Sequence, residues 1–249
     1  MMRITAGTGL HKGDRDYQQD QLGIWSHANA NRCVLAVVAD GMGGRSGGRK
    51  ASDQVLMTAK QLFDRFSPGA ESPEGLLQRL AREAHMVIRM TAASAEQEPH
   101  STLAAFLLTP DMACHWVHVG DSRVYHFKQG KLLRRTVDHS YVQSLVDKGA
   151  LTAEQAKNHP QSNVLMGCLG TEAEPPITSH TILGMEPGDT LMACSDGVWH
   201  YFSDAELGQI LVQHRAKEAC ERLIALARVR ARGFGDNLSV IVVQFELQP

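Results

Sequence analysis

The stretch Val34-Leu35-Ala36-Val37-Val38-Ala39-Asp40-Gly41-Met42-Gly43-Gly44 decides how the rest of this chain is interpreted. It is an unbroken apolar run of strand length that ends on one carboxylate and then on a glycine-rich turn. Such a run predicts a buried strand that delivers Asp40 to an open turn at the edge of a sheet. An aspartate before a glycine is most often a turn residue, so this position alone does not establish a ligand.

The same pattern of an apolar run beside an aspartate and a glycine occurs three more times. The repeats lie at 116–121, 191–197 and, in reverse order, 235–243. Together the four runs present Asp40, Asp121, Asp196 and Asp236 at strand ends, which predicts one shared site. Carboxylates are the ligands that Mg²⁺ and Mn²⁺ prefer, whereas zinc would require His and Cys, which are not clustered here.

Several aspartates at one place imply bound cations, because the carboxylates otherwise repel one another and raise each other's pKa. Two such ions about 4 Å apart can turn a bridging water into hydroxide and neutralise a phosphoryl group under in-line attack. A phosphate also favours a bidentate cation, and Arg15 in the polar loop 12–20 has the planar fork for that contact. An arginine in such a loop is otherwise more often simply solvated.

Composition and charge limit the partners and the cellular location that we expect. The 249 residues include 25 Lys and Arg against 27 Asp and Glu, a balance that gives no electrostatic reason to expect nucleic acid or an anionic membrane as a partner. Five cysteines without a CxxC pair predict small core residues in a reducing compartment. No signal peptide or run of membrane-span length is recognisable, so we expect a cytoplasmic protein.

Periodicity and turn signals predict the order of elements. Strands are expected at 3–10, 21–26, 33–39, 179–183, 189–195 and 237–246, and an antiparallel meander at 102–109, 113–119, 122–127 and 131–134. Helices are expected at 49–66, from Ser72-Pro73 onward, and at 140–148, 152–158, 203–212 and 216–230. This order lacks the βαβ alternation of a parallel sheet. It predicts a single α+β domain over 1–249, with two mainly antiparallel sheets packed together and helix pairs outside each.

Six motifs, in chain order, carry a family resemblance. They are Arg15-x-x-x-x-Asp20, Val38-Ala39-Asp40-Gly41-Met42-Gly43-Gly44, Gly120-Asp121-Ser122-Arg123, Asp138-His139-Ser140, Ser195-Asp196-Gly197 and Gly235-Asp236-Asn237. In this order the chain resembles the bacterial PP2C-like (PPM family) metal-dependent protein serine/threonine phosphatases. The resemblance covers nearly the whole chain, which makes it specific.

The resemblance implies a four-layer α-β-β-α sandwich with an Mn²⁺ or Mg²⁺ centre at one end of the two sheets. Asp40 would bridge two core ions, with the Gly41 carbonyl on one of them and Asp196 and Asp236 on the other. Asp121, with Asp196, would hold a third ion.

Further roles follow from the resemblance. Arg15 would bind the substrate phosphate, and Asp20 would hold metal-bound water without contacting the ions, so that Arg15, Asp20 and Asp40 are the catalytic residues. Asn237 would support the metal ligands without contacting the ions. The segment from about 139 to 175 would be a flap insertion beside the site.

The implied function is hydrolysis of phosphoserine and phosphothreonine in proteins, by a monomer that opposes a bacterial Ser/Thr kinase. One alternative is a catalytically weak, phosphatase-shaped binding module, whose signature would be a lost metal aspartate; none is lost. A metal-dependent phosphodiesterase is disfavoured by the family match rather than by the metal chemistry.

Three positions depart from the family pattern. Gln18 stands where the family usually has Asn, an exchange that keeps the amide's hydrogen-bonding groups. Met42 stands where the animal enzymes carry a histidine, so we expect the leaving oxygen to take its proton from metal-bound water. Gly167 stands where an arginine is common, which concerns flap contacts rather than metal binding.

Overall fold

The computed structural model describes residues 2–92 and 98–247, so the first and last residues of the expected domain lie outside the described part. The strands are β1 Met2–His11, β2 Asp20–Ser26, β3 Val34–Met42, β4 His100–Ser101, β5 Leu103–Leu108, β6 Cys114–Val119, β7 Arg123–Lys128, β8 Lys131–Arg135, β9 Thr178–Ile182, β10 Asp189–Cys194 and β11 Leu238–Leu247. The helices are α1 Gly44–Arg65, α2 Pro73–Ala92, α3 Tyr141–Asp147, α4 Ala153–Lys157, α5 Asp196–Trp199, α6 Asp204–Gln213 and α7 Ala216–Ala231.

The strands form two sheets. One has the order β1-β11-β10-β7-β8, and the other has the order β2-β3-β5-β6-β9 with β4 beside the end of β3. Every pairing between these strands is antiparallel. The prediction of two mainly antiparallel sheets is confirmed.

The side chains of β3 alternate between two cores, as the period of a strand requires. Leu35, Val37 and Ala39 pack with α1 and α2, whereas Ala36 and Val38 pack between the two sheets. A third core joins the opposite sheet to α6 and α7. The layers are therefore helix, sheet, sheet, helix, as predicted.

The expected single meander over 102–134 is wrong. β5 and β6 form a hairpin in one sheet, while β7 and β8 form a hairpin in the other. Turn signals identify the two strands of a hairpin but not the sheet that the next hairpin joins. The chain crosses between the sheets at residues 120–122, which brings Asp121 to their shared end.

The boundaries around the opening stretch also differ from the prediction. β3 continues through Asp40 to Met42, because β4 supplies a partner for its last two residues. α1 begins at Gly44 rather than at 49. Close packing of the backbone explains the glycine at position 41, since a Cβ on Gly41 would lie 1.9 Å from the Gly48 carbonyl oxygen. The short helix α5 was not predicted.

Side chains cap the starts of several helices, and the predicted burial of the cysteines is confirmed. Ser72 Oγ accepts a hydrogen bond from Gly75 N, and Thr152 and Ser203 each form a capping box. All five cysteines are buried and free. No helix in the described part of the chain is long and apolar enough to cross a membrane.

Candidate metal centre

The core between the two sheets becomes polar at one end. The inward-facing positions of five strands or strand ends change there from apolar residues to Asp, Ser or Thr. They are Asp40 after Ala36 and Val38, Thr102 before Ala104 and Phe106, Ser122 before Val124, Ser195 after Leu191 and Ala193, and Ser239 before Ile241 and Val243. We call this end of the inter-sheet core the acidic end.

Hydrogen bonds join the two sheets across the acidic end. Ser195 Oγ donates to Asp20 Oδ2 at 2.6 Å, and the hydroxyls of Thr102 and Ser122 lie 2.6 Å apart. Asp20 lies directly opposite Asp40 in the β2–β3 pairing and is 1% exposed. Its other oxygen, Oδ1, is buried and has no hydrogen-bond partner among residues 2–92 and 98–247. A buried carboxylate oxygen without a donor marks a position that can accept a ligand.

The carboxylates at this end are coupled electrostatically. Burial raises the pKa of Asp20 to about 6, although the hydrogen bond from Ser195 opposes the change. Burial, followed by the charge of Asp138, raises the pKa of Asp121 to about 7. Burial and the neighbouring aspartates hold the pKa values of Asp40 and Asp196 well above the ordinary range. The fold therefore holds together several carboxyl groups whose negative charges repel one another.

Asp121 and Asp196 are positioned by the short helix α5. Asp196 is the first residue of α5, and Trp199, its last, donates from Nε1 to the carbonyl oxygen of Asp121 at 2.9 Å. The guanidinium carbon of Arg123 lies 3.4 Å from the centre of the Trp199 ring. Asp121 and Asp196, which are predicted to hold a third ion, thus lie on two segments that Trp199 connects.

Asp236 lies at the rim of the acidic end, where Arg15 Nη2 donates to its Oδ2 at 2.5 Å. Asn237 fixes the loop that carries Arg15. Its Nδ2 donates to the carbonyl oxygens of Lys12 and Tyr17 at 2.8 and 2.9 Å, and its Oδ1 accepts from Gln19 N at 2.6 Å. Asn237 therefore supports the site through this loop.

Sequence reasoning assigned no role to the polar residues that support the aspartates: Thr102, Ser122, Ser195 and Ser239. A signal for them exists, because each lies in phase with inward-facing apolar residues of its own strand. It also missed the role of Arg123, which donates to both oxygens of Asp138 at 2.7 Å in a largely buried pair.

The residues of the acidic end fit hard divalent cations, although they are not already arranged as ligands. Among the described residues, no group of three His, Cys, Asp or Glu side chains is in place to hold a metal ion. Arg15 already donates a hydrogen bond to Asp236, and Ser195 donates one to an oxygen of Asp20. The remaining oxygen of Asp20, the raised carboxylate pKa values and the all-oxygen donor set suit Mg²⁺ or Mn²⁺.

Comparisons with known proteins agree with this geometry. The family model described as "Protein phosphatase 2C" matches residues 9–229. The serine/threonine protein phosphatase PstP of Mycobacterium tuberculosis is 37% identical over 215 residues, which is 84% of this chain and 40% of that protein. The chain therefore spans about two fifths of that relative's length.

One further relative and one solved structure match nearly end to end. The serine/threonine phosphatase stp of Listeria innocua is 30% identical over 239 residues, which is 94% of this chain and 92% of that protein. A crystal structure of the catalytic domain of PstP in complex with two manganese ions is 29% identical, with a TM-score of 0.81, and covers 99% of this chain and 100% of that one. From its sequence, its sandwich and its acidic end, this chain belongs to the protein phosphatase 2C family.

Proposed function

We propose that this chain is a metal-dependent phosphoprotein phosphatase that hydrolyses phosphoserine and phosphothreonine. The observation that carries the proposal is the set of mutually repelling carboxylates at the acidic end, with Arg15 at its rim. The names of the relatives, serine/threonine phosphatases, support the same reaction class. The completeness of the aspartate set argues against a non-catalytic binding module.

The proposal includes Mn²⁺ or Mg²⁺ as the cofactor, as in the manganese complex of PstP. Asp40, the Gly41 carbonyl, Asp196 and Asp236 would hold two ions, and Asp121 with Asp196 a third. When bound, these ions neutralise the charge of the phosphoryl group and lower the pKa of water.

The chain's own groups then orient the reactants. Arg15 offers a planar guanidinium to the phosphate oxygens, for which it exchanges or shares its contact with Asp236. Asp20, anchored by Ser195, orients the attacking water through its free oxygen. Water adds to phosphorus, the ester oxygen leaves, and the products are inorganic phosphate and a serine or threonine hydroxyl.

Neither Met42 nor His139 supplies the proton for the leaving oxygen. Met42 carries no ionisable group, and His139 is held in its neutral form. Burial lowers the pKa of His139 to about 4. Its Nδ1 accepts from Gly120 N at 3.2 Å and its Nε2 lies 3.0 Å from Thr178 Oγ1. We propose that the leaving oxygen takes its proton from water.

We also propose that residues 139–175 form a flap within one phosphatase domain. The base of this segment is closed by Met166 N donating to His139 O and by Tyr141 N donating to Val164 O, both at 2.8 Å. Gly167 packs on the ring of Pro176, where a Cβ would lie 2.2 Å from Pro176 Cδ. Any larger residue at 167 would displace that proline, so this flap is built without the family's arginine.

We also propose substrates, an oligomeric state and a cellular location for the protein. Substrates would be proteins phosphorylated by a Ser/Thr kinase, including that kinase, and the enzyme would act as a monomer. The five free buried cysteines are consistent with the reducing conditions of the cytoplasm.

The test is hydrolysis of a phosphothreonine peptide in EDTA, Mg²⁺ or Mn²⁺ by wild-type protein and Asp196→Asn, with Asp64→Asn as a surface control on α1. We expect turnover that requires a divalent ion, that is lost in Asp196→Asn and that persists in Asp64→Asn. Metal binding without turnover in the wild-type protein would instead favour the binding module.

A further inference from the structure

Phe234 is an exposed aromatic side chain beside the acidic end. It lies in the loop between α7 and β11, two residues before Asp236, and is 92% exposed. Isolated exposed apolar residues are ordinary, so exposure alone assigns no role. The position of Phe234 in the chain indicates a role, because two residues of extended chain span at most about 7 Å. The backbone of Phe234 therefore lies within about 7 Å of that of Asp236, whose carboxylate Arg15 contacts.

The loop that carries Phe234 is fixed to the loop that carries Arg15. Gly235 N donates to Asp14 Oδ2 at 2.7 Å, and Asp14 N donates back to Gly235 O at 3.0 Å. Gly13 packs directly on the backbone of Asp236, where a Cβ would lie 1.9 Å from the carbonyl oxygen. The backbone that carries the exposed ring is thus held at a set position relative to the loop of the proposed phosphate-binding residue.

A second aromatic residue lies on the same rim. Tyr17 follows Arg15 in the opposite loop, is 48% exposed, and gives its carbonyl oxygen to Asn237. Aromatic rings offer large apolar contact area with few rotatable bonds, so they lose little entropy on binding. Both aromatic residues are therefore close enough to Arg15 in the chain to contact a polypeptide whose phosphate reaches it.

We infer that Phe234, together with Tyr17, binds an apolar side chain that flanks the phosphorylated residue of the substrate protein. The inference rests on the proposed function and adds a preference to it. Phe234 is a specificity residue under this inference, because it contacts the substrate away from the phosphoryl group.

The test compares two phosphothreonine peptides that differ only in their flanks, leucine on both sides or alanine on both sides, with p-nitrophenyl phosphate as a substrate without flanks. The control variant is Leu183→Ala. Leu183 is 78% exposed and follows Ile182, which pairs with Cys114 at the end of the sheet away from Val119. We expect Phe234→Ala to lower kcat/KM for the leucine peptide about five- to tenfold. It should leave the alanine peptide and p-nitrophenyl phosphate unchanged, and Leu183→Ala should change none of the three.

The outcomes separate this inference from the function on which it rests. An equal loss on all three substrates would show that Phe234 only holds its loop, and no loss on the leucine peptide would show that the ring does not touch substrate; either result overturns the inference alone. Retention of the leucine preference by Phe234→Leu would support apolar contact. Absence of turnover by the wild-type protein on every substrate with Mn²⁺ would overturn the proposed function and this inference together.

Discussion

Two groups of charged side chains meet near the same end of the sandwich, and the fold balances them in opposite ways. Arg123 donates two hydrogen bonds to Asp138, so that this largely buried pair is neutral as a unit. At the acidic end, burial and then neighbouring aspartates raise the pKa values of Asp40 and Asp196, and neither is in an ion pair of this kind within the described residues. A charge pair that is complete within the chain serves the fold, whereas carboxylates left uncompensated indicate a site for a cationic ligand.

The largest expected effect follows from removing a charge at the acidic end. Asp40→Asn should lower kcat/KM for a phosphothreonine peptide in Mn²⁺ by at least about 1,000-fold, because the affected carboxylate is the one proposed to join two ions. Steady-state kinetics at saturating Mn²⁺ would measure this, with Asp64→Asn as the matched surface change. A loss smaller than about tenfold would show that Asp40 is not part of the reaction.

Removing a charge from the balanced pair should instead affect stability. Asp138→Asn leaves Arg123 buried without its carboxylate, and we expect the free energy of unfolding in EDTA to fall by about 3 kcal/mol. Urea denaturation of the variant and of the wild-type protein would measure the change. Replacing both residues, as Arg123→Met with Asp138→Leu, should recover most of it. If Asp138→Asn unfolds at the wild-type midpoint, the pair is not the structural unit described above.

The smallest expected effect concerns His139, which follows Asp138 in the chain and stacks on His118 with ring centres 4.4 Å apart. Its pKa is lowered from 6.5 to about 4, chiefly by burial. Between these values the unfolded chain binds more protons than the folded chain, so stability decreases as the pH falls from 6.5 towards 4. His139→Gln removes this contribution, so the stability of the variant relative to the wild-type protein should rise as the pH falls from 6.5 towards 4. The exposed His200→Gln provides the comparison, and identical slopes in all three proteins would rule out this titration.

How much of this could be predicted from the sequence depends on the range of each interaction. The aspartates were found because an apolar run ending at an aspartate and a glycine is a local signal. The crossing of the chain at 120–122 was not found, since both hairpins carry the same turn signals. The contact of Arg15 with Asp236 joins residues 221 positions apart and becomes visible only when β1 and β11 are paired.

The supporting serines and threonines are an intermediate case. Ser195 and Ser239 continue the inward-facing phase of buried strands, so their positions were readable. Their function was not, because a hydroxyl at the end of a strand is equally compatible with a solvated turn. Only the packing of the two sheets shows that Ser195 reaches Asp20.

The most direct measurement is the unfolding of wild-type protein and Asp196→Asn at pH 8, each in EDTA and in Mn²⁺. If the acidic end exists to bind cations, Mn²⁺ at 100 times its Kd should stabilise the wild-type protein by about 2.7 kcal/mol or more. Asp196→Asn should be at least as stable as the wild-type protein in EDTA and should gain much less from Mn²⁺. The opposite pattern, a variant that is clearly less stable in EDTA and gains the full stabilisation from Mn²⁺, would show that Asp196 supports the fold and not the metal.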